Sequence, residues 1–374
     1  MQKIFFVVPE DYGFVSHRLS LAKKMIKLGW NVLLATHINE HKKVIKDAGI
    51  ELFDLSHSKN NIKRHSNSFG TILKLILLYR RENPDIVHHF TIRMTILGTI
   101  ASMFSGKRNI INTITGLGSA FIDNQFKYKL IRKIVKIALR ILLPNSDVTV
   151  QNHDDFKFIK ELGISANQIH LILGSGVDTI QYSPNNKSNL KPIIALPSRM
   201  LWVKGVGEFV KAARTIKKTH KCRFVLVGEN DNNNPNSINS DQLIKWQNEG
   251  FVEWWGHQHN MPDLLKKIDI VCLPAYREGL PKALLEAASA GLPIVTTDVP
   301  GCREVVDHTI NGFLVPPKDF KALIEPLIKL VDSKNLRVIM GKSGREKVLK
   351  ELSSDIIVRQ NIDLYRSLIS FHKI

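Results

Sequence analysis

The chain has 374 residues, 44% of them apolar, and a formal net charge of +19. This length suggests two domains of ordinary size, and the charge favours polyanionic or phosphorylated partners. Runs of about 18 apolar residues are absent, which argues against a membrane-spanning helix. The apolar start is also too short for a signal peptide. Cys222, Cys272 and Cys302 lack metal or redox spacing, so a reduced cytoplasm is expected.

Short apolar runs alternate with amphipathic stretches along the whole chain. This pattern predicts an α/β fold with parallel sheets that are covered by helices on both faces. The predicted strands are residues 4–8, 31–35, 51–55, 86–88, 109–114, 148–151, 169–172, 192–196, 223–227, 252–255, 270–273, 294–297 and 312–315. The predicted helices include residues 18–28, 207–218, 261–267, 323–331 and 355–373.

The pattern breaks between residues 174 and 192, where a glycine turn and a polar stretch precede a new apolar strand. We therefore predict two doubly wound, Rossmann-like domains, over residues 1–175 and 176–356. The last segment, residues 357–374, is predicted to be a helix that packs back on the first domain. Ligands of such sheets bind beyond the carboxyl ends of the strands, so a cleft between the domains is the expected site.

Two carboxylates, Glu278 and Glu286, surround a predicted helix start. Pro281 suits the first helical turn, and Gly291 suits the helix end. Glu278 then lies in the loop before the helix and Glu286 lies inside it. Backbone amides at this helix end attract phosphate, and carboxylates accept hydrogen bonds from sugar hydroxyls. This layout fits a nucleotide sugar, whereas an acidic loop and a surface glutamate are the simpler alternative.

Two cations, Arg199 and Lys204, follow the strand at residues 192–196 and precede a predicted helix. Arginine offers a fork for phosphate oxygens, and lysine offers a point charge. Such cations can neutralise the charge on a departing nucleoside diphosphate. Two solvated surface cations are the alternative interpretation.

Two glycine-containing segments follow strands of the first domain. Gly13 comes after the first strand, where a glycine allows backbone to approach a diphosphate or an acceptor, although an ordinary turn fits equally well. Thr115 and Gly116 follow the strand at residues 109–114 and are candidates for acceptor contact. The G-x-G-x-x-G fingerprint is absent, which disfavours a dinucleotide site.

Two histidines, His88 and His89, end the strand near residue 88. Either could act as an acid, a base or a sugar contact, and a buried, hydrogen-bonded histidine is the alternative. The other histidines show no spacing that is typical of zinc enzymes, so no bound metal is predicted.

A basic amphipathic run extends from Phe126 to Leu143. Its cations share one helical side: Lys129, Arg132, Lys133, Lys136 and Arg140. The first 150 residues hold roughly 23 Lys and Arg against roughly 10 Asp and Glu. We therefore expect this run to contact an anionic membrane surface, with a core helix that has a solvated basic face as the alternative.

At these residues the chain resembles the family-four retaining glycosyltransferases of the GT-B fold, nearly from end to end. The motifs that carry the resemblance are Arg199-x4-Lys204-Gly205, Trp255-Gly256, Leu273-Pro274 through Glu278-Gly279-Leu280-Pro281, Glu286-Ala287, Gly291-Leu292-Pro293 and Pro300-Gly301-Cys302-Arg303-Glu304. The segments at residues 115–118 and 174–178 look most like a branch that extends undecaprenyl-diphosphate-linked glycans, including bacterial N-glycosylation, O-antigen and capsule enzymes.

The resemblance implies that the first domain binds the acceptor and the second binds a nucleotide sugar, without a metal. It also implies a role for each matching residue. These roles are diphosphate binding by Arg199 and Lys204, donor-sugar contact by Glu278, nearby amides from Gly279, Leu280, Pro281 and Lys282, ribose binding by Glu286, and packing of the base near His257 and Gln258. Members of the family often carry a histidine or glutamate where this chain has Thr115, which cannot act as a base.

We therefore expect a cytoplasmic enzyme at the inner face of the membrane. It would move a hexose or N-acetylhexosamine, from a UDP-sugar above other donors, to a lipid-linked saccharide with retention of configuration. A nucleotide-sugar 2-epimerase of similar fold is the alternative enzyme. A polyanion binder is disfavoured, because the interleaved aromatic and basic residues of nucleic-acid binders are missing.

Overall fold

The computed structural model describes residues 1–56, 67–118, 126–185, 189–231 and 234–371. The chain divides into two compact units. The first unit comprises Met1–Ser175 and Ile357–Ile374, and the second comprises Gly176–Ile356. Each unit is built on its own parallel sheet.

The first unit contains a seven-stranded sheet in the order β3-β2-β1-β4-β5-β6-β7, and all of its strand pairs are parallel. Its strands are β1 Lys3–Glu10, β2 Asn31–His37, β3 Glu51–Asp54, β4 Ile86–Phe90, β5 Ile110–Ile114, β6 Asp147–Val150 and β7 Ile169–Leu171. The central strands are buried, which explains why they read as continuous apolar runs.

The helices of the first unit cover both faces of this sheet. They are α1 Asp11–His17, α2 Leu19–Lys27, α3 Lys42–Asp47, α4 Ser68–Glu82, α5 Thr91–Ser105, α6 Phe126–Leu142 and α7 His153–Glu161. Alternate residues of β1 enter opposite cores, because Phe6 packs with α2 residues and Phe5 packs with α4 residues.

The second unit contains a six-stranded parallel sheet in the order β10-β9-β8-β11-β12-β13. Its strands are β8 Ile193–Pro197, β9 Arg223–Val227, β10 Glu253–Trp254, β11 Ile270–Leu273, β12 Ile294–Thr297 and β13 Gly312–Val315. Its helices are α8 Val206–Ile216, α9 Ser240–Asn248, α10 Met261–Leu265, α11 Lys282–Ser289, α12 Cys302–Val305, α13 Phe320–Asp332 and α14 Lys334–Lys347.

The last helix of the chain, α15 Ser354–Phe371, belongs mainly to the first unit. Its Tyr365 is fully buried in the core that contains Phe6 and Trp30. The Tyr365 hydroxyl also lies 2.8 Å from Nδ1 of His88 on β4. The end of the chain therefore completes the core at the start of the chain.

The α/β class with two parallel, Rossmann-like sheets is confirmed. The predicted helix at residues 18–28 corresponds to α2, Leu19–Lys27, and a further helix that was not predicted, α1, precedes it. The residues after β1 already wind into α1, and Arg18 lies between α1 and α2. The Asp11 carboxylate in the first turn of α1 accepts hydrogen bonds from the backbone N–H groups of Tyr12, Asn39 and His41, which favours the helical start.

Candidate functional site

The point at which strand order reverses in the second sheet brings the predicted charged residues together. Strand β8 lies between β9 and β11, so the loops after β8 and β11 are neighbours at the carboxyl edge of the sheet. The first loop carries Arg199 and Lys204, and the second carries Glu278. The backbone N–H of Tyr276 donates to the carbonyl of Val203 at 2.9 Å and joins the two loops.

Lys204 and Glu278 form an ion pair across these loops. Their side chains are 20% and 12% exposed, so the pair is largely shielded and still reachable from solvent. Lys204 ends a short 3₁₀ turn, and Gly205 follows it in a left-handed conformation with φ of 73°. A Cβ on Gly205 would lie 2.1 Å from the carbonyl oxygen of Pro274, so glycine permits the close approach of the loops.

A third loop supports Glu278 from behind. The carbonyl of Pro300, after β12, accepts a hydrogen bond from the Glu278 N–H at 3.3 Å. Gly301 has φ of 80°, and a Cβ there would lie 2.5 Å from the carbonyl oxygen of Gly279. The backbone position of Glu278 is therefore fixed by contacts that no side chain larger than hydrogen allows.

Glu286 occupies the second turn of α11, and its residue is only 7% exposed. Its carboxylate lies 3.6 Å from Nζ of Lys282 and is hydrogen-bonded to the side chain of Tyr182. Burial raises the pKa of the Glu286 carboxyl, while Lys282 and Tyr182 act in the opposite direction. A buried carboxylate with free acceptor capacity suits a ligand that brings its own hydroxyl donors.

The start of α11 follows the sequence-based expectation closely. Pro281 is the N-cap residue, and the helix begins at Lys282. Gly279, Leu280 and Lys282 are half-buried, and Pro281 is buried. Gly291, with φ of 71°, follows the helix end. The helix N-terminus thus lies between the two glutamates along the chain.

Arg199 sits further out than Lys204. Its side chain is 63% exposed, and its Nη1 lies 3.1 Å from a carboxylate oxygen of Asp231. A cation with this exposure loses little hydration by moving to a phosphate. The structure therefore places Arg199 at the rim of the site and Lys204 inside it.

His257 and Gln258 follow β10 on the other side of β9. His257 is exposed and packs edge-on against His259, with ring centroids 4.7 Å apart. The Gln258 side chain donates to the Trp255 carbonyl at 2.7 Å. Gly256 accepts from the N–H of Gly228, which connects this loop to the end of β9. His257 and Gln258 thus follow β10, and two strands, β9 and β8, separate β10 from β11, whose loop carries Glu278.

The prediction that Gly13 lies in a loop after the first strand is wrong. Gly13 lies inside helix α1, not in a loop, and its φ is not positive. A Cβ there would meet only a side-chain atom of Val8, at 3.7 Å. The position therefore neither needs glycine nor presents a glycine loop to a ligand.

His88 and His89 are both fully buried, so the interpretation as acid, base or sugar contact is corrected to the structural alternative. His88 bonds to the hydroxyls of Tyr365 and Thr113, and His89 bonds to Asn112 and Tyr79. Burial lowers the pKa of His88, and it lowers that of His89 to about 4. Neither ring has a nitrogen left for a substrate.

Thr115 and Gly116 follow β5 and are half-buried, and Gly116 has φ of 119°. The chain after Gly118 lies outside the described residues until Phe126. Their place beyond the carboxyl end of a central strand is as predicted, and their role in acceptor contact remains a prediction.

Sequence reasoning missed two side chains near these sites. Tyr182 contacts Glu286 from a turn more than 100 residues earlier in the chain. Arg18 is buried beside Phe90 in the first unit. Neither residue belongs to a spacing pattern, because both contacts depend on chain crossings that no local signal records.

Helix α6 exposes an apolar stripe together with its basic residues. Leu130, Ile134, Ile137 and Ile141 are exposed, and of the helix residues only Leu139 and Leu142 are buried. Leu139 lies in a core cluster of the first unit and Val135 packs against it, so α6 contacts the core with one face and exposes apolar and basic side chains on the rest of its surface. In the described part of the chain, no helix is long and apolar enough to cross a membrane.

Comparisons with known proteins match both units. Residues 178–347 match the family model described as glycosyl transferases group 1, and residues 3–152 match the one described as glycosyl transferase 4-like. The chain is a glycosyltransferase. The epimerase alternative is not favoured, because both models describe transferases.

The glycosyltransferase is 26% identical to the N,N'-diacetylbacillosaminyl-diphospho-undecaprenol α-1,3-N-acetylgalactosaminyltransferase of Campylobacter jejuni, over 96% of this chain and 98% of that protein. It is 27% identical to the capsular polysaccharide biosynthesis glycosyltransferase CapM of Staphylococcus aureus, over 98% of each chain. An Escherichia coli UDP-Gal:α-D-GlcNAc-diphosphoundecaprenol α-1,3-galactosyltransferase is 28% identical over 80% of this chain and 79% of its own.

Solved structures share the fold, and two of them illustrate the likeness. The HepE protein of Anabaena, in complex with UDP and glucose, has a TM-score of 0.80 at 16% identity and covers 98% of this chain and 100% of its own. A sucrose-phosphate synthase from Thermosynechococcus elongatus has a TM-score of 0.83 at 18% identity, over 99% and 100% of the two chains. The GT-B class is confirmed, and at these identities the likeness concerns the fold alone.

Proposed function

We propose that the glycosyltransferase moves a hexose or N-acetylhexosamine from a UDP-sugar to a lipid-linked saccharide, with retention of anomeric configuration. The observation that carries the proposal is the meeting of Lys204, Glu278 and the N-terminus of α11 at the β8–β11 switch point. The acceptor class follows from the activities of the Campylobacter and Escherichia relatives, which act on diphospho-undecaprenol-linked saccharides.

The donor is proposed to lie across the start of α11. Glu286 accepts hydrogen bonds from the ribose hydroxyls, and the amides that precede α11 lie near the diphosphate. Lys204 has three N–H donors, so it can hold Glu278 and still donate to a phosphate oxygen. Arg199, at the rim, can exchange Asp231 for the diphosphate. His257 and Gln258 are proposed to lie near the base.

The transfer step is proposed to take place on one face of the sugar. The acceptor hydroxyl oxygen bonds to the anomeric carbon while the bond from that carbon to the diphosphate oxygen breaks. The acceptor proton passes to the departing phosphate oxygen. Lys204 and Arg199 stabilise the charge that develops on the diphosphate, the function that a metal ion supplies in other enzymes.

The first unit is proposed to bind the acceptor and the inner face of the cytoplasmic membrane. The exposed stripe of α6 combines apolar residues such as Ile134 and Ile137 with lysines and arginines, which is the composition of a helix that lies in an anionic lipid surface. Thr115 and Gly116, beyond the end of β5, remain candidates for contact with the acceptor saccharide.

The proposal is tested by incubating the enzyme with radiolabelled UDP-hexoses and UDP-N-acetylhexosamines, with and without a lipid-linked saccharide extract. We expect label in the lipid phase only when enzyme, one UDP-sugar and lipid acceptor are all present. Glu286→Gln should lower the rate of this transfer by about 100-fold, by analogy with the loss of one preorganised polar contact.

The matched control is Glu325→Gln, since Glu325 is exposed on α13 and pairs with a neighbouring lysine. Conversion of the UDP-sugar to its epimer in the absence of lipid would instead support the epimerase. Label transfer by Glu286→Gln at the rate of the unchanged enzyme would refute the proposed donor site.

A further inference from the structure

An exposed turn at residues 178–182 of the second unit carries one buried side chain. Ile180 is 89% exposed, whereas Tyr182 is only 8% exposed. The Tyr182 hydroxyl is hydrogen-bonded to the carboxylate of Glu286 on α11. A surface turn therefore supplies a hydrogen-bond donor to the carboxylate that is proposed to bind the ribose.

The first residue of this turn, Asp178, fixes its backbone. One Asp178 carboxylate oxygen accepts hydrogen bonds from the backbone N–H groups of Ile180 and Gln181, at 2.9 and 3.0 Å. The Asp178 carbonyl accepts a hydrogen bond from the N–H of Tyr182 at 3.0 Å. Aspartate bonds of this kind close a turn locally, so the turn itself determines where the Tyr182 side chain leaves the backbone.

Two further side chains attach the end of the turn to α11. Ser289, one helical turn after Glu286, is fully buried, and its hydroxyl donates to the Tyr182 carbonyl at 2.7 Å. Arg345 on α14 donates to the carbonyls of Tyr182 and Ser289, both at 2.9 Å. Its other terminal nitrogen donates to the Thr179 carbonyl at 2.8 Å. The planar guanidinium thus joins the turn, α11 and α14.

The hydrogen bond from Tyr182 favours the form of Glu286 that a ribose needs. An ionised carboxylate only accepts hydrogen bonds, so it can receive both ribose hydroxyls while Tyr182 occupies one further lone pair. Burial raises the pKa of the Glu286 carboxyl, and Lys282 and the Tyr182 hydroxyl oppose that rise. The further charged groups of these contacts are Asp178, which acts on Tyr182, and Arg345 on α14.

We propose that Tyr182, fixed by Arg345 and Ser289, is a positioning residue that orients the Glu286 carboxylate towards the ribose of the donor nucleotide. Tyr182 acts through Glu286 and needs no contact of its own with the nucleotide. The inference rests on the proposed function, because it takes Glu286 as the residue that binds the ribose. A tyrosine that only stabilises the fold would affect unfolding and leave the ribose preference of the folded enzyme unchanged.

The test compares calorimetric affinities for UDP and 2′-deoxy-UDP in the unchanged enzyme and in Tyr182→Phe, between about pH 5.5 and pH 8.5. Phenylalanine keeps the ring and removes only the hydroxyl. At the upper end of this range, Tyr182→Phe should lose about 5-fold of the preference for UDP. On acidification it should lose the remaining preference at a higher pH than the unchanged enzyme, because removal of the hydroxyl raises the pKa of Glu286. Titration of the diphosphate cancels, since both nucleotides carry it.

A second variant and two controls accompany this comparison. Ser289→Ala removes the hydroxyl that donates to the Tyr182 carbonyl and should reduce the preference for UDP by about 2-fold. Glu286→Gln does not titrate at this position, so the preference that it retains should not vary with pH. Tyr12→Phe, at an exposed tyrosine of the first unit, should keep both the preference and its pH dependence. In transfer assays, Tyr182→Phe should raise the KM for the UDP-sugar by about 5-fold and leave the acceptor KM unchanged.

The outcomes distinguish this inference from the proposed function. Equal affinity of the unchanged enzyme for the two nucleotides contradicts ribose binding by Glu286, and it overturns the proposed donor site together with the role of Tyr182. A preference in the unchanged enzyme that folded Tyr182→Phe retains in full at every pH overturns the positioning role alone and leaves the donor site in place. Loss of the preference with the shift in its pH dependence supports both.

Discussion

The two units have the same strand order, but the polar residues near the point where that order reverses are buried in the first unit and accessible in the second. In the first unit, His88, His89 and Asn112 lie inside the sheet and are fully buried. His89 bonds to Asn112, which donates to Ser146, and His88 bonds to Thr113. In the second unit, Lys204 and Glu278 stand in loops beyond the strands and remain reachable. In this comparison the polar residues within the strands stabilise the sheet, whereas Lys204 and Glu278, just past the strand ends, are available for chemistry.

The largest effect is expected at Lys204. Lys204→Ala removes a cation from the proposed diphosphate site and leaves Glu278 half-buried without its ion partner. We expect kcat to fall by about 100-fold or more, together with weaker UDP binding. Steady-state kinetics and calorimetry measure both quantities. Lys329→Ala, at an exposed lysine of α13, is the matched control and should keep full activity.

Arg199→Ala should have a smaller effect than Lys204→Ala. Arg199 is 63% exposed and already paired with Asp231, so its contribution to phosphate binding is screened by solvent. We expect about a 10-fold loss in kcat/KM. Equal losses of kcat/KM in Arg199→Ala and Lys204→Ala would contradict this difference between the two cations. They would instead support equal contributions to phosphate binding, as the sequence alone suggests.

Acid should destabilise the first unit more than the second. The folded state lowers the pKa of His89 from 6.5 to about 4, because the ring is buried. Between these pH values the unfolded chain binds a proton that the folded unit does not, so stability is full above pH 6.5 and falls as pH decreases towards 4. The loss is about 3 kcal/mol for His89, and the lowered pKa of His88 adds to it.

Hydrogen exchange at pH 7.5 and pH 4.5, followed by mass spectrometry, measures this difference peptide by peptide. None of the described histidines of the second unit is fully buried. His89→Gln should be less stable at pH 7.5 and less sensitive to acid. Equal acid sensitivity in peptides of both units would contradict the burial of these histidines.

Gly301 and Gly250 have similar φ angles, so substituting each by alanine distinguishes the cost of a steric clash from the cost of backbone strain alone. Gly301→Ala and Gly250→Ala both place a side chain at φ near 80°, but a Cβ at Gly250 meets nothing within 4 Å. We expect Gly250→Ala to cost about 1 kcal/mol of stability and to leave activity intact. Gly301→Ala should cost more, about 2 kcal/mol or above, and displace Glu278, so activity should fall with it. Denaturant unfolding and kinetics together check this pair.

The smallest effect is expected at helix α6, which is proposed to contact the membrane. Ile134→Glu introduces a carboxylate into the exposed stripe of α6, where it opposes both insertion and anionic lipid. We expect about a 10-fold loss of sedimentation with phosphatidylglycerol vesicles. The control is Ile244→Glu, because Ile244 is an exposed isoleucine on helix α9 of the second unit. Unchanged sedimentation of Ile134→Glu would refute the proposed surface.

Sequence was sufficient for the fold because the apolar runs are short, regular and buried on both faces. It also identified α11, since Pro281 and Gly291 mark the two ends of that helix. It failed for Gly13, because the Asp11 carboxylate makes long-range contacts with Asn39 and His41 that stabilise a helix there.

Sequence could not distinguish a buried histidine from a catalytic one at His88 and His89. That distinction depends on Tyr365, which lies 277 residues from His88 along the chain. Arg18 and Tyr182 were missed for the same reason, because each is defined by a partner in another element. Local patterns therefore identify which residues end a strand or begin a helix, and tertiary packing decides which of them face solvent.

The most direct test of the donor site compares calorimetric binding of UDP and 2′-deoxy-UDP to the unchanged enzyme and to Glu286→Gln. If Glu286 receives the ribose hydroxyls, the unchanged enzyme should prefer UDP by about 10-fold or more, and Glu286→Gln should lose most of that preference. Equal affinity of the unchanged enzyme for both nucleotides, or a preference that survives in Glu286→Gln, would contradict the account.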